Sequence, residues 1–136
     1  MKIVLISCAS KKRLYKTQAK NLYISPLFKL NLKYAKSLKP DKIFILSALY
    51  ELIELNKSIN PYNKTLNKMS KNEIKIWAKK VINKLDKLTD LKKDEFTFLA
   101  GEKYRKYLIP HLNNYKIPLK GLGIGKQLKY LKEKTT

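Results

Sequence analysis

Cysteine and histidine are almost missing from this sequence, with one residue of each, Cys8 and His111. A single cysteine excludes an intramolecular disulfide and a cysteine-rich zinc centre. A single histidine means that any Cys–His pair or Ser–His–Asp triad would have to use His111, which reads instead as a packed or capping residue of a helix. No metal and no cofactor are expected. Arginine is as scarce, since only Arg13 and Arg105 stand among the 31 basic residues. The apolar runs fall far short of the roughly 20 residues that cross a bilayer, so no membrane partner is expected. The opening run Ile3-Val4-Leu5-Ile6 is too short for a signal peptide and leads directly into Ser7-Cys8-Ala9-Ser10, which makes the cytoplasm the expected location. Glycine is confined to four positions in the last third, Gly101, Gly121, Gly123 and Gly125. The first strand is therefore not followed by a P-loop.

What remains is lysine, with hydrophobic residues at 44% and a length of 136 residues. That length suits one domain, residues 1–136, with a core of its own. The formal charge of +21 would draw the protein to DNA, RNA or a nucleotide, because cations neutralise phosphates and release their counterions. The lysines are spread along the chain in company with many Asn, Ile and Tyr, which also fits an AT-rich coding bias. Charge alone therefore leaves a nucleic-acid partner and a merely solvated surface both open.

Three runs, Lys2–Ser7, Lys42–Ser47 and Glu95–Ala100, are apolar at consecutive positions and predict strands covered on both faces. Lys116-Ile117-Pro118-Leu119 is a weaker fourth, with its proline suggesting a sheet edge. Ser25-Pro26 starts a helix that ends before Pro40, and Ser70-Lys71-Asn72-Glu73 has the spacing of a capping box. Further helices are expected over 102–112, packing Tyr104, Leu108 and His111, and over 125–132. Strands alternating with helices imply α/β architecture: a three-layer α/β/α sandwich around a mostly parallel sheet of about four strands. The stretch from Tyr50 to Met69 has no clear period and reads as a lid or binding loop.

Ligands of such sheets bind outside the carboxyl ends of the strands. The segments there are 7–13, 47–54 and 101–105. Ser7, Cys8, Ser10, Lys11, Lys12 and Arg13 combine short polar side chains with cations, a mixture suited to phosphate. Cys8 is more commonly a small buried hydrophobe than a nucleophile. Gly121, Gly123, Lys126 and Gln127 lead into the last helix, as a site or simply as a turn. Tyr23, Tyr50, Tyr62 and Tyr104 offer rings for stacking a base, while most tyrosines at such places only pack. Ser47, Asn63 and Gly101 complete the binding candidates, and Glu51, Glu54 and Glu102 are the carboxylates available for acid–base work.

These segments, taken together over nearly the whole chain, resemble a small family of bacterial, archaeal and phage domains of unknown function related to the YaaA-like proteins. The matching stretches are Ile6–Lys12, Ala19–Phe28, Ile45–Ala48, Pro61–Leu66, Leu99-Ala100-Gly101 with Tyr104, and Gly121–Gln127. The resemblance implies an α/β fold and, for YaaA-like proteins, DNA binding linked to peroxide stress. The polar strand ends also look like the uracil-DNA glycosylase layout, by analogy only. One departure stands out: where the family pattern has Tyr-Gly after Ile45–Ala48, this chain has Tyr50-Glu51. Three functions follow as expectations. The first is a nucleic-acid- or nucleotide-binding domain with Lys11, Lys12, Arg13 and Lys126 on phosphate and Tyr50 or Tyr62 stacking. The second is a nucleotide- or nucleobase-processing enzyme, for example one cleaving a glycosidic bond, whose acid would be a buried carboxylate in the cleft. The third is an accessory protein with no specific ligand.

Overall fold

Ile3, Val4, Leu5 and Ile6 are all buried because the strand that carries them has a neighbour on each side and apolar packing on each face. A computed structural model describes residues 1–136. Strand β1 (Lys2–Ser7) is followed by β2 (Thr17–Gln18), α1 (Ala19–Leu22), α2 (Pro26–Ser37), β3 (Lys42–Ser47), β4 (Glu51–Glu54) and β5 (Ser58–Ile59). Then come α3 (Lys71–Leu88), β6 (Glu95–Leu99), α4 (Glu102–Arg105), β7 (Asn114–Lys116) and α5 (Ile124–Thr135), with short 3-10 turns at Leu66–Lys68 and Ile109–His111. The main sheet has the order β4-β3-β1-β6-β7. β1 runs parallel to β3 and β6, β6 runs parallel to β7, and β4 runs antiparallel to β3. β2 and β5 form a separate antiparallel pair.

Alternate residues of β1 feed two apolar clusters, as the pleat requires. Ile3 and Leu5 join Phe44, Leu46, Phe96 and Phe98 against Ile74, Trp77, Val81 and Leu85 of α3. Val4 and Ile6 join Ile45 and Leu99 against Leu22, Phe28, Ala35 and Leu131 of α1, α2 and α5. The caps read from sequence form as expected. Ser25 Oγ accepts from the Phe28 amide, with Pro26 at the first helical position, and Ser70 and Glu73 close a full capping box.

Four expectations change. The sheet is mixed and five-stranded, not a mostly parallel one of about four strands, because β4 adds an antiparallel edge. β4 has only Leu52 and Ile53 between two glutamates, so its apolar signal is short, and charged flanks are a common guard on an exposed edge. The 50–69 stretch is consequently no loose lid: β4, β5 and the 66–68 turn occupy it, and Leu52, Ile53, Ile59 and Leu66 are buried. The last strand is Asn114–Lys116, wholly exposed, and Pro118 lies beyond it. The 102–112 helix stops after Arg105 and resumes only as a 3-10 turn containing Pro110, which leaves His111 exposed instead of packed. No helix is long and apolar enough to cross a membrane.

Candidate functional site

Where β1 and β6 end, the chain opens into a cleft of about 820 Å³. Ser7, Leu99 and Ala100 supply its sheet side, Leu27 and Asn31 of α2 and Ile124 and Gln127 of α5 form one wall, and Gly101 to Tyr107 form another. Half of the 20 lining residues are hydrophobic, while the charged ones are Lys71, Lys103, Arg105 and Lys106 against the lone carboxylate of Glu102. Arg105 is held in place, since one guanidinium nitrogen donates to the Ala100 carbonyl at 2.8 Å. Gln127 is oriented too: its Nε2 donates to the Leu122 carbonyl at 2.8 Å, which leaves Oε1 as the free atom of the amide. The first turn of α5 has no side-chain cap behind Gly123, so its amides remain available for an anion.

Asn31 is the cleft's least expected residue. It lies in the buried stripe of α2 with Phe28 and Ala35, is only 4% exposed, and its Oδ1 is buried with no hydrogen-bond partner. Buried amides almost always find partners, because one left unpaired costs about 1–3 kcal/mol.

Next to the cleft lies a packed polar knot. Ser47 Oγ donates to the Tyr62 hydroxyl at 2.8 Å, the Tyr62 and Tyr23 hydroxyls share a 2.6 Å hydrogen bond, and Ser47 Oγ accepts from the Leu49 and Tyr50 amides. Trp77 Nε1 donates to the Ser47 carbonyl. Tyr50 and Tyr23 both meet the Tyr62 ring edge-on. The Lys12 ammonium sits 4.4 Å from the centre of that ring, and burial pulls its pKa below the ordinary lysine value. Cys8 Sγ lies 3.4 Å from the Tyr104 hydroxyl, joining the knot to the cleft wall. Burial pushes the Tyr23, Tyr62 and Tyr104 phenols well above the ordinary tyrosine range, which keeps them neutral. With the Tyr23, Tyr62 and Ser47 hydroxyls satisfied by one another, this knot ties the 50–66 segment to the strand ends, and those hydroxyls are not open to a ligand.

The candidates from the sequence therefore divide. Ser7, Gly101, Glu102, Tyr104 and Gln127 line the cleft. Cys8, Lys12, Tyr23, Ser47, Tyr50 and Tyr62 build the knot. Ser10, Lys11, Asn63 and Lys126 are exposed and line neither, and Arg13 turns away to donate to the Asn21 carbonyl. Gly121 needs its glycine for a φ of +79°, whereas Gly123 serves as the N-cap of α5. A methyl group added at any of the four glycines would meet nothing within 4 Å, so none marks a close approach of backbone to another group. Glu51 lies on β4 and pairs with Lys84 at 3.2 Å, and Glu54 is exposed on the same strand. No group of three or more His, Cys, Asp or Glu side chains gathers to hold a metal ion. Asn31, Lys71 and Lys106 were not foreseen. The available signal was a polar residue at a buried position of an amphipathic helix, Asn31 between Phe28 and Ala35.

No curated protein and no solved structure matches the chain. The family match that is found carries no link to YaaA-like proteins. It does cover residues 3–133, and on that extent the chain belongs to the family of unknown function DUF6884.

Proposed function

We propose that the chain binds a nucleotide, free or at the end of a DNA or RNA strand, in the cleft at the carboxyl ends of β1 and β6. The observation that carries this reading is the lining itself: an apolar body with a predominantly cationic rim. Leu99, Ile117 and Leu119 offer a dry surface for a planar base. Lys71, Lys103, Arg105 and Lys106 offer charge to a phosphate, and Arg105, already anchored on Ala100, loses little freedom when it binds. The uncapped start of α5 adds amides of the right polarity.

The same reading takes residues 1–136 as one three-layer, cytoplasmic domain, with kinship to the YaaA-like proteins as part of the proposal. The two apolar clusters on either side of β1 support the layering. Glycosidic-bond cleavage has less behind it. Glu51 is occupied by Lys84, Glu54 lies on the edge strand, and Glu102 alone reaches the cleft, at an exposed position.

Calorimetric titration with nucleoside monophosphates and short single-stranded oligonucleotides at 0.2 M salt tests the reading. Arg105→Ala is expected to weaken binding about tenfold or more, the loss of a charge-assisted hydrogen bond worth roughly 1.5–3 kcal/mol. Lys80→Ala, on the exposed side of α3, should change nothing. Absence of binding, or equal binding by both variants, would overturn the proposal.

A further inference from the structure

Asn31 and Gln127 face one cleft where α2 packs against α5, and neither amide is used up by the protein. Asn31 Oδ1 has no partner. Gln127 has given its Nε2 to the Leu122 carbonyl, and turning that amide over would set oxygen against oxygen, so Oε1 is held as an acceptor. Asn31 is freer: its terminal torsion is soft, and rotation brings either amide atom toward the cleft. Together they offer one adaptable carboxamide and one fixed acceptor.

An unpaired carboxamide matches a hydrogen-bond donor lying beside an acceptor on a base edge, the pairing by which Asn and Gln read adenine. That alone would not distinguish an amino base from its oxo counterpart, because the amide could turn to suit either. The fixed Gln127 oxygen breaks the tie. An exocyclic amino group has two hydrogens and can donate to both residues, whereas a carbonyl in its place would meet the Gln127 oxygen with like polarity.

We infer that Asn31 and Gln127 read the base, and that the cleft takes a nucleotide with an exocyclic amino group beside a ring-nitrogen acceptor, adenine or cytosine, over the matching oxo bases. This rests on the nucleotide-binding reading of the same cleft and narrows it to a class of base. The empty protein leaves the Asn31 oxygen unpaired, a cost that the right ligand removes.

Four ligands in two matched pairs test it by titration calorimetry: AMP against IMP, and CMP against UMP. In at least one pair the amino nucleotide is expected to bind about tenfold tighter or more, because a site with buried polar groups discriminates against a ligand that leaves them unpaired. Asn31→Leu should erase that preference while the melting temperature of the ligand-free protein holds or rises, since the variant removes a buried orphan. A role confined to structure would lower the melting temperature instead. Gln127→Met, at a half-buried position, should likewise reduce the preference. If Asn31→Leu does not fold, the wild-type pairs and Gln127→Met still decide. Differences below tenfold in both pairs, or a preference that survives both substitutions, overturn the inference and leave nucleotide binding standing. If none of the four nucleotides binds, this inference falls, and the broader reading falls with it only if short oligonucleotides fail to bind as well.

Discussion

Tyr62 shows how much a single hydroxyl can organise. It accepts from Ser47, bonds to Tyr23, and carries the Lys12 ammonium above its ring, so that three chain segments meet at one oxygen and one aromatic face. Tyr62→Phe leaves the Ser47 and Tyr23 hydroxyls short of a partner and is expected to destabilise the protein by about 1–3 kcal/mol in urea denaturation at pH 7. Burial raises the folded-state pKa of Tyr23, Tyr62 and Tyr104. Below about pH 10 these phenols are neutral whether the chain is folded or not; above it the unfolded chain releases protons that the folded chain retains, so stability falls. Each phenol contributes up to about 1.4 kcal/mol of loss per pH unit in that range. Wild type should therefore lose stability more steeply between pH 9 and pH 11 than Tyr62→Phe does. Parallel profiles would show that burial does not hold this phenol neutral. The tyrosines and Ser47 were visible in the sequence as neighbours of strand ends. Whether they faced a ligand or one another was not, because that depends on where the 50–66 segment returns to the sheet.

Among the elements, the β3–β4 hairpin carries the clearest local strain. Ser47 pairs with Glu51 across a three-residue turn, and Glu51 has a φ of +61°, the left-handed position that such turns use. A side chain there costs roughly 1–2 kcal/mol, and this is the position where the family pattern suggested glycine. The ion pair with Lys84 is partly exposed and returns only about 0.2–1 kcal/mol. Glu51→Gly is accordingly expected to be about 1 kcal/mol more stable than Glu51→Ala, since both lose the ion pair and only the glycine relieves the backbone. Equal stabilities by chemical denaturation would mean that the turn shifts to accommodate a side chain without strain. Elements with strong local signals were legible: the capped α2 and α3, and the three central strands. β4, β7 and the interrupted helix after Gly101 were not. Two apolar residues between glutamates, three exposed residues, and a helical period broken by Pro110 carry too little local information to decide an element.

For the whole molecule the dominant fact is charge. At +21, only three ion pairs form, and Lys84 and Lys116 are the lysines in them. The remaining lysines repel one another over distances that salt screens, about 10 Å at 0.1 M. Raising sodium chloride from 10 mM to 0.3 M is expected to lift the melting temperature by on the order of 5 °C, equivalent to about 1–2 kcal/mol of relieved repulsion. No change would mean that the lysines are already spaced too widely to matter.

The sequence by itself determined the α/β class, the inner strands and the capped helices, because consecutive apolar runs and capping residues act over a few neighbouring positions. It also pointed to the segments after β1, β3 and β6 as places for a ligand, without deciding among them. Only the tertiary structure decided which polar groups stay open. Packing closed Tyr23, Ser47 and Tyr62 onto one another, tied Glu51 to Lys84, and left Asn31 unpaired beside a cationic cleft. Partners of this kind come from residues distant in the chain, and no local pattern of residue types specifies which of them will meet.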